Sequence, residues 1–336
     1  MKIIIYNSPS LVEYNPCILE NYGIGGLENC VINLSKEFVK RGHSVVCYSD
    51  HNKNEIYDNV EYNHISKYNN ERVDLFIGVS SFPEKVNSKI KVNWIHRFAD
   101  FSIEKYKEVD YTIFVSEWHK QYILSHRNVK DVETKCIIIN NGISDSFFQN
   151  ITTKKENKIV YVNHPRKGVE FLSNIYQIIK KEVKDVKCYV FSGTKMWGEE
   201  SSKYEDIFKN LRNNGINVVG QVGQKRIIEE LGSSKIFLYP STFIETFGLS
   251  IVEAMSAGCV PISSYIGNIP DLIKNNENGF LIKGKPNEEK YQKDSAKKAI
   301  CLLKDNVLYD KMKGNAMDFA NKFTWSKATD EFEKLL

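Results

Sequence analysis

The sequence predicts an α/β protein made of two consecutive layered domains, each on a mostly parallel sheet, and three observations carry that expectation. Short β-rich runs alternate with helical patterns along the whole chain, the mark of α/β layers with parallel strands. The 336 residues suffice for two domains of ordinary size. A polar stretch without periodicity, NITTKKENK at residues 150–158, suits a linker, and the strand–helix alternation restarts after it.

Taken in order, the strand candidates of the first half are Lys2–Tyr6, Val45–Ser49, Leu75–Val79, Val92–His96, Thr112–Ser116 and Ile137–Asn140. A helix between the first two, from about Gly26 to Lys40, places Leu27, Val31, Leu34 and Phe38 at near-helical spacing and stops at Arg41-Gly42. In the second half the strand candidates are Ile159–Val162, Cys188–Ser192, Val218–Gly220, Ile236–Tyr239 and Val260–Ser263, with helices between them. Asn141-Gly142, followed by Phe147, reads as a turn leading to the linker. The tail from about Ala316 reads as helical and carries Phe323 and Trp325. The expected division is therefore 1–152, 153–315 and a C-terminal helix at 316–336. Nothing repeats at a fixed short period, which disfavours a solenoid.

Composition narrows the function classes. Charged residues are 26% and hydrophobic ones 42%, a globular balance. The net charge of +4 is spread along the chain without a long basic run. That argues against nucleic acid as a partner and permits a weakly basic face for anionic substrates or lipid headgroups, hence peripheral membrane association. The seven cysteines form no C-x-x-C pair, and Cys47, Cys136 and Cys301 sit in apolar contexts, as small core residues of a reduced, cytoplasmic protein would. The opening MKIIIYNSPS has too short an apolar run for a signal peptide, and no segment approaches the ~20 apolar residues of a spanning helix.

The most informative stretch runs from Pro240 to Met255. The apolar run Ile236–Tyr239 reads as a buried strand; a loop with Glu245 follows, then Thr246, Phe247, Gly248 and Leu249 at a helix start, with Glu253 further along that helix. A helix start offers N–H groups without acceptors and the positive end of the dipole, so it suits phosphate. Glu253 lies roughly 9 Å along the axis from Phe247, at about 1.5 Å per residue, and its side chain leans back toward the N-terminus. A phosphate there has a carboxylate on each side, each able to accept from hydroxyls, as a sugar–diphosphate–ribose chain requires. An isolated glutamate pair would read as two solvated surface carboxylates.

The surrounding residues lift the pair above that reading. PSTFIETFG, then LSIV, then EAMSAGCVPI resembles the donor-binding segment of retaining GT-B glycosyltransferases, above all family 4, with a Val–Pro inversion of no chemical weight. The block GGLENCVINLSKEFVKRGHSV resembles the same family's glycine loop and first long helix, where Gly25 and Gly26 lie against the donor diphosphate and acceptor. About fifteen residues separate the first strand from this loop, and G-x-G-x-x-G is missing, which disfavours a dinucleotide fold. His96 ends the strand in VNWIHRF; a lone histidine there is often structural, but the resemblance implies that it faces the transferred sugar. In NHPRKG, residues 163–168, Lys167 matches the family's diphosphate-neutralising lysine. The family arginine's place is held by Asn163 or His164, leaving Arg166 as the candidate for the second cation. Gly193 and the loop Val219–Val222 resemble the nucleobase-holding region, with Val222 on its apolar face.

The resemblance implies two Rossmann-like domains facing across a cleft, the second binding a nucleotide-diphosphate sugar and the first a glycan or lipid-linked acceptor. It implies transfer with retention by front-face displacement, in which Glu245 holds sugar hydroxyls and Glu253 the ribose diol. His96 and Glu245 are then the catalytic candidates. The donor-binding candidates are Gly25, Gly26, Arg166, Lys167, Gly193, Val222, Thr246, Phe247, Gly248, Leu249 and Glu253. No D-x-D motif or His/Cys/carboxylate set occurs, so neither a metal nor another cofactor is expected. A nucleotide-sugar epimerase, a sugar-phosphate synthase and a non-catalytic carbohydrate-binding protein of the same fold are the alternatives, and donor base, sugar, acceptor and oligomeric state stay open.

Overall fold

In a computed structural model, residues 1–79, 81–100, 102, 107–126, 135–149, 152, 155–195 and 198–336 are described. They form two sheets. The first holds β1 (Lys2–Asn7), β2 (Ser44–Ser49), β3 (Glu55–Tyr57), β4 (Val60–His64), β5 (Val73–Val79), β6 (Ser88–Ile95), β7 (Tyr111–Phe114) and β8 (Cys136–Ile138) in the order β3-β4-β2-β1-β5-β6-β7-β8. All its pairs are parallel except β3 with β4. The second holds β9 (Glu156–Val162), β10 (Lys187–Phe191), β11 (Asn217–Val218), β12 (Ser234–Tyr239), β13 (Val260–Ser264) and β14 (Phe280–Ile282), ordered β11-β10-β9-β12-β13-β14 and wholly parallel.

The central strands are buried on both faces, as parallel sheets covered by helices require; β12, SKIFLY, is buried at every position. β3 and β4, which the apolar runs do not announce, are a hairpin made by Asp58 and Asn59, both at positive φ (51° and 61°), the geometry of a two-residue primed turn. The helix Gly26–Lys40 has the expected bounds. Gly25 starts it in extended conformation, Glu28 lies in its first turn, Lys40 in its last, and Gly42 at φ 83° ends it. Val31, Leu34 and Phe38 are fully buried and Leu27 is half-buried.

Two compact units result. Met1–Leu19, Ile24–Gly142 and Phe323–Leu336 form one; Glu20–Gly23 and Ile143–Lys322 form the other. The chain thus passes to the second unit at 142/143, ahead of the expected 152/153. The short helix Ser146–Gln149 packs on the helices Gln224–Ser233 and Leu249–Ser256, and Thr152 donates from N and Oγ1 to the Gly232 carbonyl (3.2 and 3.0 Å). The tail is two helices rather than one. Asn306–Ala320 stays with the second unit, and Trp325–Glu333, capped by Thr324, belongs to the first. There Phe332 packs edge-on against Phe38 and Trp94, and Arg41 pairs with Asp330 and Glu333 at 2.6 Å each. Gly142 is needed for this return, because a Cβ would meet the Trp325 nitrogen at 2.3 Å. Cys47 and Cys136 are buried as expected, whereas Cys301 is exposed: its helix, Glu289–Lys304, turns Leu302 and Leu303 inward instead. Among the described residues no helix is long and apolar enough to cross a membrane.

Candidate functional site

In the second sheet the strand order reverses between β9 and β12, and open parallel sheets bind ligands at the carboxyl ends of strands at such a switch. The two loops leaving those ends are residues 163–168 and 240–248, the segments singled out from sequence.

The first loop is held from below. The buried Tyr161 hydroxyl donates to the His164 carbonyl (2.9 Å), and His164 Nδ1 accepts from the Arg166 N–H (3.1 Å), shaping the turn Pro165–Lys167. Burial pushes the His164 imidazole down to about 4, so it stays neutral and keeps that acceptor. Gly168, at φ 98°, closes the loop onto the second one: a Cβ would meet the Pro240 carbonyl oxygen at 2.0 Å. Asn163, standing where the resemblance leads one to expect arginine, donates from Nδ2 to Ser250 Oγ (2.9 Å) and ties this loop to the first turn of the helix Leu249–Ser256.

These constraints bring the chemical groups together. Lys167 Nζ lies 2.7 Å from Glu245 Oε1, and the Tyr239 hydroxyl donates to the same oxygen. Burial and the Glu245 charge hold the Tyr239 phenol far above its usual range, so it remains a donor. The Phe243 ring sits beside both cations, with its centroid 4.4 Å from Lys167 Nζ and 5.6 Å from the Arg166 guanidinium carbon. Arg166 is therefore next to Lys167. Gly248, at φ 97°, caps the helix Leu249–Ser256, whose first N–H groups have no acceptor within the helix. Phe247 is buried; Thr246 and Leu249 are half-buried. Glu253 is buried four residues into the helix, roughly 6 Å along its axis from Leu249.

One contributor had escaped the sequence reading. Asn268 is buried; its N–H donates to the Glu245 carbonyl (2.9 Å) and its Nδ2 to the Phe247 carbonyl (2.7 Å). Gly267 comes so close that a Cβ would meet the Glu245 nitrogen at 2.7 Å. This turn clamps the loop carrying Glu245. The available signal was the Gly-Asn-Ile-Pro string after β13, a turn followed by a helix start.

At the end of β10, Gly193 lies against Gln221, next in the chain to Val222. The Ser192 N–H donates to the Gly220 carbonyl (3.1 Å), and a Cβ on Gly193 would meet Gln221 Cβ at 2.6 Å. Gln221 Nε2 donates to the Tyr22 and Gly23 carbonyls, 3.1 Å each, and Gly23 abuts the Val222 carbonyl. The glycine run thus divides, with Gly23 in the second unit and Gly25 and Gly26 in the first.

In the first unit His96 follows β6 directly, its ring 4.4 Å from that of Trp94. Burial, then His119 and Arg97, push its imidazole down to about 3. Gly25 and Gly26 open the helix whose first turn holds Glu28. Burial raises the Glu28 carboxyl, and its own N–H, the Arg97 charge and Asn7 pull it back. Among the described residues no group of three or more His, Cys, Asp or Glu side chains is placed to hold a metal ion.

Two parallel sheets of this kind, each with an open switch point, define the GT-B class of fold. In line with that, the chain superposes on a glycosyltransferase from Rickettsia africae with a TM-score of 0.72 at 16% identity, covering 99% of this chain and 97% of that one. It superposes on WaaG, a glycosyltransferase involved in lipopolysaccharide biosynthesis, with a TM-score of 0.69 at 14% identity, covering 99% of each. Residues 143–319, more than half of the chain, match the family model described as glycosyl transferases group 1, and the chain belongs to that family. It is 27% identical over 266 residues to an uncharacterized glycosyltransferase of Methanocaldococcus jannaschii, covering 75% of this chain and 64% of that one. It is 29% identical over 109 residues to the O-antigen chain mannosyltransferase B of Escherichia coli, covering 32% and 28%. Each match spans less than two thirds of the relative's own length.

Proposed function

We propose that the chain is a retaining glycosyltransferase that moves a hexose-type sugar from a nucleotide-diphosphate donor to a glycan or lipid-linked saccharide acceptor without a divalent metal. The observation that carries this reading is the convergence of Lys167, Arg166 and Glu245 at the β9/β12 switch point beside a helix N-terminus. The diphosphate takes Lys167 from Glu245, which frees that carboxylate to accept from sugar hydroxyls. Arg166 and the first N–H groups of the helix Leu249–Ser256 share the charge, and Glu253 accepts from the ribose diol. As the anomeric C–O bond breaks, its electron pair moves onto the diphosphate, and the acceptor oxygen bonds the anomeric carbon on the same face. The acceptor's proton passes to the departing diphosphate oxygen, and donors aimed at that oxygen stabilise the charge without reorganising. The absence of a D-x-D motif supports metal independence. The relatives' names favour surface-glycan assembly, and mannose is the sugar named for the Escherichia coli relative.

The test is a screen of UDP-, GDP- and ADP-sugars by thermal shift, followed by transfer assays on metal-stripped protein in excess EDTA. A ligand bound only by the folded state raises the melting temperature. One donor class should do so and support transfer with the anomeric configuration kept. Transfer lost in EDTA and restored by Mg²⁺ or Mn²⁺ would overturn the metal-free reading, and an inverted product would overturn retention.

A further inference from the structure

At the amino ends of β9, β10 and β12, opposite the loops described above, the second unit has a cavity of about 670 Å³. Lys155, Lys235, Lys313 and Tyr309 line it. Lys155 and Lys235 are more than nine-tenths buried. Neither has a carboxylate oxygen within 4.0 Å among the described residues. Lys155 Nζ donates to the Leu231 and Ala257 carbonyls, and Lys235 Nζ to Asn157 Oδ1 (3.0 Å) and Asn306 Oδ1 (2.9 Å). Each ammonium carries three donors, so two are met by neutral oxygens and one is left. Their neighbour Lys158, equally buried, does have its carboxylate, Glu230.

A buried cation is costly, and burial pulls both ammonium groups toward neutrality, Lys155 to about 8, with Asp310 and Asp185 opposing it at Lys235. Gly258 nevertheless keeps the lysines close: a Cβ there would lie 3.4 Å from Lys155 Nζ and 3.5 Å from Lys313 Cδ. Tyr309 anchors to the Gly258 carbonyl (2.9 Å), with its ring centroid 5.3 Å from Lys235 Nζ and 5.8 Å from Lys313 Nζ. The acids around the cavity have partners of their own. Glu156 is with Lys187 at 3.4 Å, Asp185 accepts from Asn157 at 2.8 Å, and Asp310 is with Lys313 at 3.4 Å at the exposed rim. Asp310 and Asp185 act on Lys235, which leaves Lys155, beside Lys313, as the lining ammonium without an acid acting on it.

We propose that this cavity is a binding site for a soluble phosphorylated small molecule, its phosphoryl group held by Lys155, Lys235 and Lys313. The site is separate from the donor loops and does not rest on the proposed transfer. Its volume exceeds that of a single phosphate, which leaves room for the organic part of the ligand.

Pyrophosphate is the probe, titrated by calorimetry and thermal shift into the wild type, Lys167→Ala, and Lys167→Ala carrying in addition Lys235→Met or Lys313→Met. Pyrophosphate also suits the donor loops, so Lys167→Ala removes that contribution. Binding should persist in Lys167→Ala and weaken about tenfold or more when Lys235→Met or Lys313→Met is added, the loss of one charge-assisted hydrogen bond. Lys155 is left intact because it ties two backbone carbonyls. If Lys235→Met fails to fold, Lys313→Met at the rim decides. No binding in Lys167→Ala, or equal binding in both methionine variants, overturns the site.

Discussion

His96 after β6 and His119 in the helix after β7 are held neutral by burial, whereas the loops leaving β9 and β12 bring charged side chains together as a pair. His96 and His119 are pushed to about 3 and 4 in the first unit, while in the second Lys167 and Glu245 meet at 2.7 Å with Arg166 beside them. A neutral imidazole offers one donor and one acceptor and places no positive charge on a neutral ligand. A buried ion pair is costly to keep, and its use is clearest where a ligand exchanges for one partner. The difference teaches that at these strand ends the second unit sets a compensated ion pair where the first sets neutral imidazoles.

The largest effect expected from this division is at Lys167. Charge aimed at a departing diphosphate matters most in the transition state, so Lys167→Ala should lower kcat on the order of 10²-fold as well as raise KM. Arg166→Ala sharpens the comparison. Since both cations lie against Phe243, the double variant should fall short of additivity. Steady-state kinetics that leave both single variants unchanged would remove the charged crevice from the reaction altogether.

Glu253→Ala should weaken nucleotide affinity about tenfold or more, because a charge-assisted hydrogen bond contributes ~1.5–3 kcal/mol. Calorimetry with the free nucleotide reads this directly, and unchanged affinity in the folded variant would remove Glu253 from the ribose.

Asn268→Ala tests whether the loop must be clamped. It strips the donor from the Phe247 carbonyl, and a buried carbonyl left without a partner costs about 1–3 kcal/mol. The expected outcome is a lower melting temperature together with a several-fold drop in kcat. A melting change alone would make Asn268 purely structural.

The smallest effect concerns pH and the neutral side of the comparison. His96, His119 and His164 have folded values of about 3, 4 and 4, below the ordinary 6.5. The unfolded chain therefore binds more protons than the folded one between those limits, and stability falls as pH drops from about 6.5 toward 4. Above about 6.5 these groups contribute no slope. His119→Phe should make the melting temperature less dependent on pH in that window; an unchanged slope would show that His119 titrates normally.

Much of this arrangement was legible in the chain. β1 and β12 are apolar runs too short for helices, and the helix Gly26–Lys40 announces itself by period and by glycines at both ends. The Glu245–Glu253 segment was readable because its chemistry lies within one loop and one helix, where spacing alone sets geometry. β3 and β4 were not, because their pairing depends on the turn at Asp58-Asn59 more than on an apolar pattern. Cys301 was misread since an apolar neighbourhood in sequence says nothing about which way a helix turns it.

By itself, then, the sequence determined the alternation of strands and helices, the helix start at Gly248 and the two loops at the β9/β12 switch. These follow from local rules of period, capping and turn chemistry acting over a few residues. Only the tertiary structure decided that Lys167 reaches Glu245, that Asn268 clamps the loop carrying Glu245, and that Gly168 must be glycine to pass the Pro240 carbonyl. Those contacts join segments far apart in the chain, and parallel pairing and close packing, which no local pattern encodes, set their distances.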